Sequence, residues 1–148
     1  MCGRFTRKEN FQHLAELLGL KVFPPLSPRY NIAPSQMVAC VRINPESGQR
    51  ECMELKWGLV PSWAKDPSIG NKLINARGET VAEKPAFRKA FKQQRCLVWA
   101  DGFYEWKEEG NIKQPYYVRF KDQRLFSFAG LWERWEKNEA HPLETCTL

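Results

Sequence analysis

The sequence predicts a single α+β domain whose second half is mostly antiparallel β-structure. The chain has 148 residues, of which 43% are hydrophobic and 27% charged, an ordinary globular balance with enough length to bury one core. Several short strand-like runs, separated by turn residues, follow one another after residue 95. Because no internal repeat, low-complexity tract or linker interrupts the chain, we assign residues 1–148 to one domain.

The beginning of the chain predicts one helix followed by a loop. Residues 8–20 carry apolar side chains at helical spacing and meet a stop signal at Gly19, which favours an amphipathic helix with His13 on its wetter side. Residues 23–35 contain four prolines. This composition predicts an ordered loop lying across the body rather than a regular element.

A hairpin is predicted next. Residues 37–43 and 51–57 are strand-like, the second run alternates apolar and polar side chains, and residues 44–48 between them have turn composition. We expect Trp57, which ends the second strand, in the core and Trp63, in the following loop, exposed. An exposed tryptophan beside a lysine suits stacking against bases next to a phosphate, although core tryptophans are the commoner arrangement.

The remainder predicts one helix and a series of strands. Residues 80–94 have helical spacing, with Pro85 near a permitted first-turn position and a basic opposite side. The final residues, 144–148, resemble the opening of another strand, so we expect the natural domain to be longer than this chain. The predicted strands cover residues 96–100, 103–107, 116–121 and 125–132.

Charge and hydropathy limit the classes of partner. The formal net charge of +6 favours a polyanionic partner if the positive groups cluster on one face. No apolar stretch approaches the roughly 18 residues that span a bilayer, and the first residues have no apolar signal core. We therefore expect a soluble, intracellular protein with no membrane partner.

Cysteine and histidine usage argues against metal and disulfide chemistry. Five cysteines, an odd number with irregular gaps, match neither a disulfide framework nor paired zinc ligands. Two histidines are few for a metal site, and the chain lacks HExxH, Walker A and GxGxxG motifs. We predict no disulfide, no structural metal and no cofactor.

Cys2 offers a distinctive nucleophile at the start of the chain. Its small side chain permits removal of the initiator methionine, which leaves an α-amine and a thiol on adjacent carbons. The amine titrates near ~7.7–8.0 and the thiol near ~8.5. Such a 1,2-aminothiol attacks an aldehyde first through nitrogen and then through sulfur, closing a thiazolidine ring. The alternative is that Cys2 is simply a small buried residue.

Asn75 and Arg77 place a neutral amide two residues from a fixed positive charge. On an extended backbone both side chains project from the same face, which suits one sugar-phosphate unit. The alternative is an asparagine in a turn and an arginine paired with Glu79.

Glu105 is the best general acid/base candidate. It stands among the aromatic side chains of residues 100–107, and such surroundings raise the pKa of a carboxyl group by desolvation. The alternative is an edge-strand glutamate paired with Lys107 or with a lysine across the strand.

Five ordered blocks that cover nearly all of the chain resemble the SRAP family, the SOS response-associated peptidases. The resemblance implies strands curled into an irregular barrel-like body with a few flanking helices and a positively charged groove. The blocks are MCGRF at 1–5, RYNIAP at 29–34, WGLVPSW at 57–63, INARGET at 74–80 and ADGFYEW at 100–106.

The resemblance implies a sensor of abasic sites in single-stranded DNA. Mature Cys2 would form a thiazolidine with the ring-opened deoxyribose aldehyde and so shield the lesion as a covalent crosslink, in the DNA damage (SOS) response. Asn75 would orient the opened sugar, and Glu105 would assist proton transfer. The DNA-binding residues that it implies are Arg4, Asn31, Pro34, Trp63, Arg77 and Lys84.

The same resemblance implies further properties. They are autoproteolytic removal of Met1, an AP-lyase side reaction through the Schiff base, a monomer, and a cytoplasmic protein that joins the nucleoid when bound to DNA. Family members continue into a strand with a His-Asp-Arg-Met-Pro type motif. This chain stops before that strand, and neither His13 nor His141 matches the position of its histidine.

Two other classes of function remain open on the sequence. One is a cysteine-dependent peptidase or amidohydrolase that acts in trans, with the free amine as the base for its own thiol. The other is a non-catalytic single-strand binding module that uses Trp63 and basic residues.

Overall fold

The computed structural model describes residues 2–9, 11–21, 24–137 and 142–148. Most of its regular structure is β, with two short α-helices and a 3₁₀ helix. The elements in chain order are β1 (Arg4–Arg7), α1 (Gln12–Leu17), β2 (Arg29–Ile32), β3 (Met37–Ile43), β4 (Arg50–Trp57), the 3₁₀ helix (Pro67–Lys72), α2 (Arg88–Gln93), β5 (Arg95–Ala100), β6 (Gly102–Glu109), β7 (Ile112–Val118), β8 (Phe126–Trp135) and β9 (Leu143–Thr147).

The strands form two sheets. One is a four-stranded sheet in the order β2-β1-β6-β7, and the other is a closed barrel in the order β3-β4-β9-β8-β5. All pairs are antiparallel except β4 with β9, which is parallel. The predicted α+β class, with mostly antiparallel strands in a barrel-like body and a few helices, is confirmed.

The main core fills the barrel and extends to β1 of the open sheet. Phe5 of β1 packs against Trp57 at the end of β4, with ring centroids 5.3 Å apart, and against Phe128 of β8 at 5.7 Å. Trp57 is buried, whereas 56% of Trp63 is exposed. Both expectations about these tryptophans are confirmed, and the shared core fixes the start of β1 relative to the barrel.

The loop that follows β4 is held by a close approach of two backbones. Gly58 has a φ of +127°, and a Cβ atom there would lie 2.6 Å from the carbonyl oxygen of Gly70. Only glycine tolerates both the positive φ and that contact. Beside it, the Leu59 N–H donates to the carbonyl of Leu73 at 3.1 Å, so the 3₁₀ helix leads directly into the segment that carries Asn75.

The predicted hairpin is confirmed as β3 and β4, with Gly48 at a φ of +68° in its turn. The two predicted helices are shorter than expected. Residues 8–20 contribute only α1, and residues 80–94 form successive turns that end in α2. Short helices depend on packing of one buried side, and each of these buries a single alanine, Ala15 in α1 and Ala90 in α2.

Two strands were not expected. β1 has four residues, which is too short for a periodic signal, and β2 lies within the segment that its prolines marked as a loop. Both exist through pairing with distant strands, because Phe5 lies opposite Ile32 of β2 and Phe103 of β6. The prediction of a loop over residues 23–35 is therefore wrong at Arg29–Ile32.

Within the described residues, no helix is long and apolar enough to cross a bilayer.

Candidate active site

A cavity of about 800 Å³ opens beside the start of β1. It brings together four of the residues that the sequence singled out, Cys2, Asn75, Arg77 and Glu105, from three separate parts of the chain. Its other lining residues are Ala76, Gly78, Glu79, Thr80, Phe103, Phe128 and Leu148.

Strand pairing delivers Cys2 to this cavity. Arg4 lies opposite Tyr104 in the β1–β6 ladder, so the residues that precede Arg4 run alongside Glu105. Cys2 is half-buried, and its thiol donates a hydrogen bond of 3.4 Å to the carbonyl oxygen of Arg4. The Cys2 side chain is thus held by a hydrogen bond to the backbone of β1.

Burial raises the pKa of the Cys2 thiol to about 11, and the negative charge of Glu105 acts in the same direction. Both causes disfavour the thiolate, since each makes an added negative charge less stable at this position. The thiol is therefore protonated at neutral pH while Met1 is attached.

This pKa predicts slow alkylation of Cys2. The thiolate is the reactive form, so at pH 7.5 we expect iodoacetamide to modify Cys2 at least about tenfold more slowly than an exposed cysteine in a short peptide. The rate should rise as the pH approaches 10. Peptide mapping by mass spectrometry of the Met1-bearing chain measures it, and modification as fast as in the peptide would show that burial does not control this thiol.

Asn75 is fixed and touches the backbone of Cys2. Its side-chain amide donates a 2.8 Å hydrogen bond to the Cys2 carbonyl oxygen. The preceding Ile74 carbonyl accepts from the Trp57 indole at 2.8 Å and from the Leu148 N–H at 3.2 Å. Asn75 therefore holds the residue that carries the nucleophile and still faces the cavity.

Glu105 lies on a central strand. β6 is paired on both sides, with β1 and with β7, and Lys107 forms its ion pair with Glu109 at 2.7 Å. β6 is therefore not an edge strand, although its ladder with β1 ends at Tyr104, one residue before Glu105. Phe103, two residues earlier and on the same face of β6, supplies an apolar wall of the cavity together with Phe128.

Positive charge lies at the rim. Arg77 is exposed where it lines the cavity, and Arg4 donates through Nη1 to Oδ1 of Asn31 at 2.9 Å, which ties β1 to β2. Fixed guanidinium groups of this kind suit phosphate oxygens. One pair of predicted DNA-binding residues, Arg4 and Asn31, is thus in direct contact.

Of the six predicted DNA-binding residues, only Arg77 is among the residues that line the cavity. Pro34 is half-buried just after β2, and Lys84 is exposed in the turns that precede α2. Trp63 borders a separate cavity of about 270 Å³ that Lys65 and Lys72 also line. The structure therefore does not bring Pro34, Trp63 or Lys84 into the cavity that Cys2 lines.

The structure adds residues that sequence reasoning did not single out. Thr80 lines the cavity, and among the described residues its buried hydroxyl has no hydrogen-bond partner. Phe128 reaches the cavity from β8 of the barrel. The INARGET block contains Thr80 and could have indicated it, whereas nothing near Phe128 in the sequence marks it as part of a site.

The described residues contain no group of three His, Cys, Asp or Glu side chains that could hold a metal ion. His13 is exposed on α1, and His141 lies outside the described residues. The five cysteines all carry free thiols.

The chain is similar to known proteins over most or all of its length. A family model described as "SOS response associated peptidase (SRAP)" matches residues 1–148. The abasic site processing protein YoqW of Bacillus subtilis is 47% identical over 152 residues, which cover 100% of this chain and 67% of YoqW. The abasic site processing protein YedK of Escherichia coli is 36% identical over 141 residues, which cover 87% of this chain and 59% of YedK.

Among solved structures, a crystal structure of a protein from Bacteroides thetaiotaomicron is similar with a TM-score of 0.84 at 28% identity. The similarity covers 99% of this chain and 67% of that protein. This chain therefore spans about two thirds of the length of YoqW and of the Bacteroides protein, and less of YedK.

Proposed function

We propose a function for this chain, which belongs to the SOS response associated peptidase (SRAP) family. It captures abasic sites in single-stranded DNA through a covalent bond to Cys2. The observation that carries the proposal is the cavity in which Cys2, Asn75, Arg77 and Glu105 meet. Relatives named abasic site processing proteins support the choice of an abasic site as the target.

The chemistry begins with removal of Met1, which frees the α-amine of Cys2. We assign this step to the chain itself, acting through its Cys2 thiol, and the word peptidase in the family description agrees with cleavage of a peptide bond. Asn75 assists by donating to the carbonyl oxygen of Cys2, which fixes the residue that becomes the terminus. After cleavage, the amine and the thiol lie on adjacent carbons inside the cavity.

The amine is the first nucleophile. Its nitrogen attacks the aldehyde carbon of the ring-opened deoxyribose, and the carbinolamine loses one water to give an imine. The thiol then adds its sulfur to the same carbon, and the electron pair of the C=N bond moves to nitrogen. A base takes the thiol proton and returns it to that nitrogen, so that a five-membered thiazolidine closes. The net reaction joins aldehyde and aminothiol with loss of one water.

Burial of the Cys2 side chain, which raises the pKa of its thiol in the chain that bears Met1, supports this order. A protonated thiol does not compete with the amine for the aldehyde. In this proposal Glu105, which lines the same cavity, moves protons in both steps, from the sugar hydroxyl during ring opening and from the thiol during ring closure. Asn75 would hold the opened sugar by its amide.

The strand itself is held by positive charge and by stacking. Arg4 and Arg77 contact phosphates on either side of the lesion, Asn31 keeps the Arg4 guanidinium in place, and Lys84 adds a further phosphate contact. Pro34 and the exposed Trp63 wedge against the bases of a bent strand.

The imine has a second outcome. Before the sulfur adds, the former aldehyde carbon is part of an imine, which makes the proton on the neighbouring C2 of the deoxyribose acidic. Loss of that proton breaks the C3–O bond and expels the 3′ phosphate, which is an AP-lyase reaction. Addition of the thiol removes the imine and stops this cleavage. The balance between stable crosslink and strand scission therefore depends on how quickly sulfur follows nitrogen.

The test is a denaturing gel. The chain, confirmed by mass spectrometry to lack Met1, is incubated with single-stranded DNA that contains one abasic site and with the intact strand. We expect a heat-stable shifted band with the abasic strand only. A chain that binds both strands equally without any covalent band would be a simple binding module, and turnover of peptide amides would indicate a peptidase that acts in trans.

A further inference from the structure

A second cavity adjoins the Cys2 cavity. It measures about 220 Å³ and is lined by Phe103, Val118, Arg119, Phe120 and Phe126. Phe103 also lines the Cys2 cavity, so one aromatic ring separates the two. We call this second cavity the Phe120 pocket.

The β6–β7 register puts both cavities on the same face of the sheet. Phe103 lies opposite Val118, and Glu105 lies opposite Tyr116. Side chains directly opposite one another on antiparallel strands share a face, and so do residues two apart on one strand. The Phe120 pocket therefore lies on the same face of the sheet as Glu105. It lies beside β7, one strand beyond β6 as counted from Cys2.

The walls of the pocket are aromatic and accessible. Phe126 contacts Phe103 with ring centroids 6.3 Å apart and Phe120 at 5.9 Å, both edge-on. Val118 and Phe120 are 41% and 40% exposed. Part of the Phe120 ring thus remains accessible beside its neighbours, and an accessible aromatic ring is a surface on which a planar base stacks.

Positive charge surrounds these walls. The Arg124 guanidinium lies 3.9 Å from the centroid of the Phe120 ring, and Arg119 is itself part of the lining. Lys121 is exposed between them, and Asp122 offsets part of the charge through a 3.9 Å contact with Arg124. An aromatic pocket with a cationic rim complements a base attached to a phosphate.

We propose that the Phe120 pocket holds a nucleobase close to the abasic nucleotide of a bound single strand. The base stacks against Phe120, and Arg119 contacts the adjoining phosphate. The inference rests on the proposed function, because it needs a strand whose sugar enters the Cys2 cavity. The pocket also sets a requirement on the DNA: the part of the strand that passes over β7 must be unpaired, since a base inside a duplex cannot enter the pocket.

The experiment measures coupling between one base and one side chain without covalent chemistry. The probe is a short single-stranded oligonucleotide with a central tetrahydrofuran residue, an abasic analogue that has no aldehyde. A second tetrahydrofuran replaces each neighbouring nucleotide in turn, which deletes one base and keeps its phosphate. Dissociation constants are measured for the parent, Phe120→Ala and Ile112→Ala, a control at the other end of β7 that is 68% exposed.

We expect Phe120→Ala to weaken binding of the singly substituted strand by about tenfold, which is the scale of one base–aromatic stack. At one neighbouring position, base deletion should weaken the parent equally and should not weaken Phe120→Ala further. Arg119→Ala should lower the affinity for every oligonucleotide, whichever neighbouring base is deleted, and should reduce the dependence of binding on salt concentration. Ile112→Ala should behave as the parent does.

Additive effects of Phe120→Ala and base deletion at every position would overturn the pocket assignment, provided that circular dichroism shows the variant folded. The result is separable from the proposed function. Coupling without any crosslink on the denaturing gel would support the Phe120 pocket as a base site and rule out the covalent mechanism. A crosslink without coupling would support the covalent mechanism and rule out the pocket as a base site.

Discussion

Cys2→Ala is expected to abolish the durable covalent product with abasic single-stranded DNA. Because alanine is also small, it permits removal of Met1 without the Cys2 thiol, and mass spectrometry must first confirm that the variant lacks Met1. The variant then has an α-amine and forms an imine, but it has no sulfur to close the thiazolidine. Without ring closure the imine hydrolyses. The heat-stable band should therefore disappear, while a band trapped with borohydride, which reduces the imine, should persist.

The matched control is Cys52→Ala. Cys52 is a half-buried cysteine whose pKa is also raised by burial to about 11, and it lies outside the residues that line the cavity. It should crosslink as the parent does. Non-covalent binding of intact DNA by Cys2→Ala should survive and fall with salt, because Arg4 and Arg77 remain. A heat-stable band from Cys2→Ala would remove Cys2 from the mechanism.

Glu105→Gln is expected to slow crosslinking by about 10²- to 10⁴-fold, the range for loss of a positioned general acid/base. Glutamine keeps the shape and hydrogen-bonding reach of the side chain but cannot exchange a proton at neutral pH. The single-turnover rate on a pre-opened abasic strand measures it. Glu79→Gln, which removes a negative charge from the same cavity lining, is the control and should change the rate little.

The direction of the effect separates two roles of Glu105. Its negative charge contributes to the raised pKa of the Cys2 thiol, so removing the charge lowers that pKa and increases the thiolate fraction. If Glu105 acted only as a charge, Glu105→Gln would crosslink faster than the parent above neutral pH. A slower rate identifies proton transfer as its contribution.

Sequence patterns predicted the elements that rest on local signals. The β3–β4 hairpin has a turn with Gly48 and an alternating second strand, and both signals are properties of neighbouring residues. The burial of Trp57 and the exposure of Trp63 followed from their places at a strand end and in a loop. The length of the first helix was overestimated, because Leu18 and Leu20 continue the apolar pattern beyond the end of α1 at Leu17 and pack against the core outside the helix.

Individual residues of the candidate site could be singled out from the sequence, but their meeting in one cavity could not be predicted. The INARGET and ADGFYEW blocks marked Asn75, Arg77 and Glu105, yet nothing local says that these side chains share a cavity with Cys2. Their meeting depends on β1, which is four residues long and pairs with a strand formed about a hundred positions later. Long-range pairing of so short a strand leaves no periodic trace in the sequence.

The position of β1 between β2 and β6 has a consequence for synthesis on the ribosome. β1 emerges first, and its partner β6 is translated about a hundred residues later, which takes roughly 5–20 s at bacterial and eukaryotic elongation rates. During that interval the N-terminus cannot be in its cavity, because one wall does not yet exist. The proposed removal of Met1 by the chain itself must therefore wait until β6 has been translated and paired with β1.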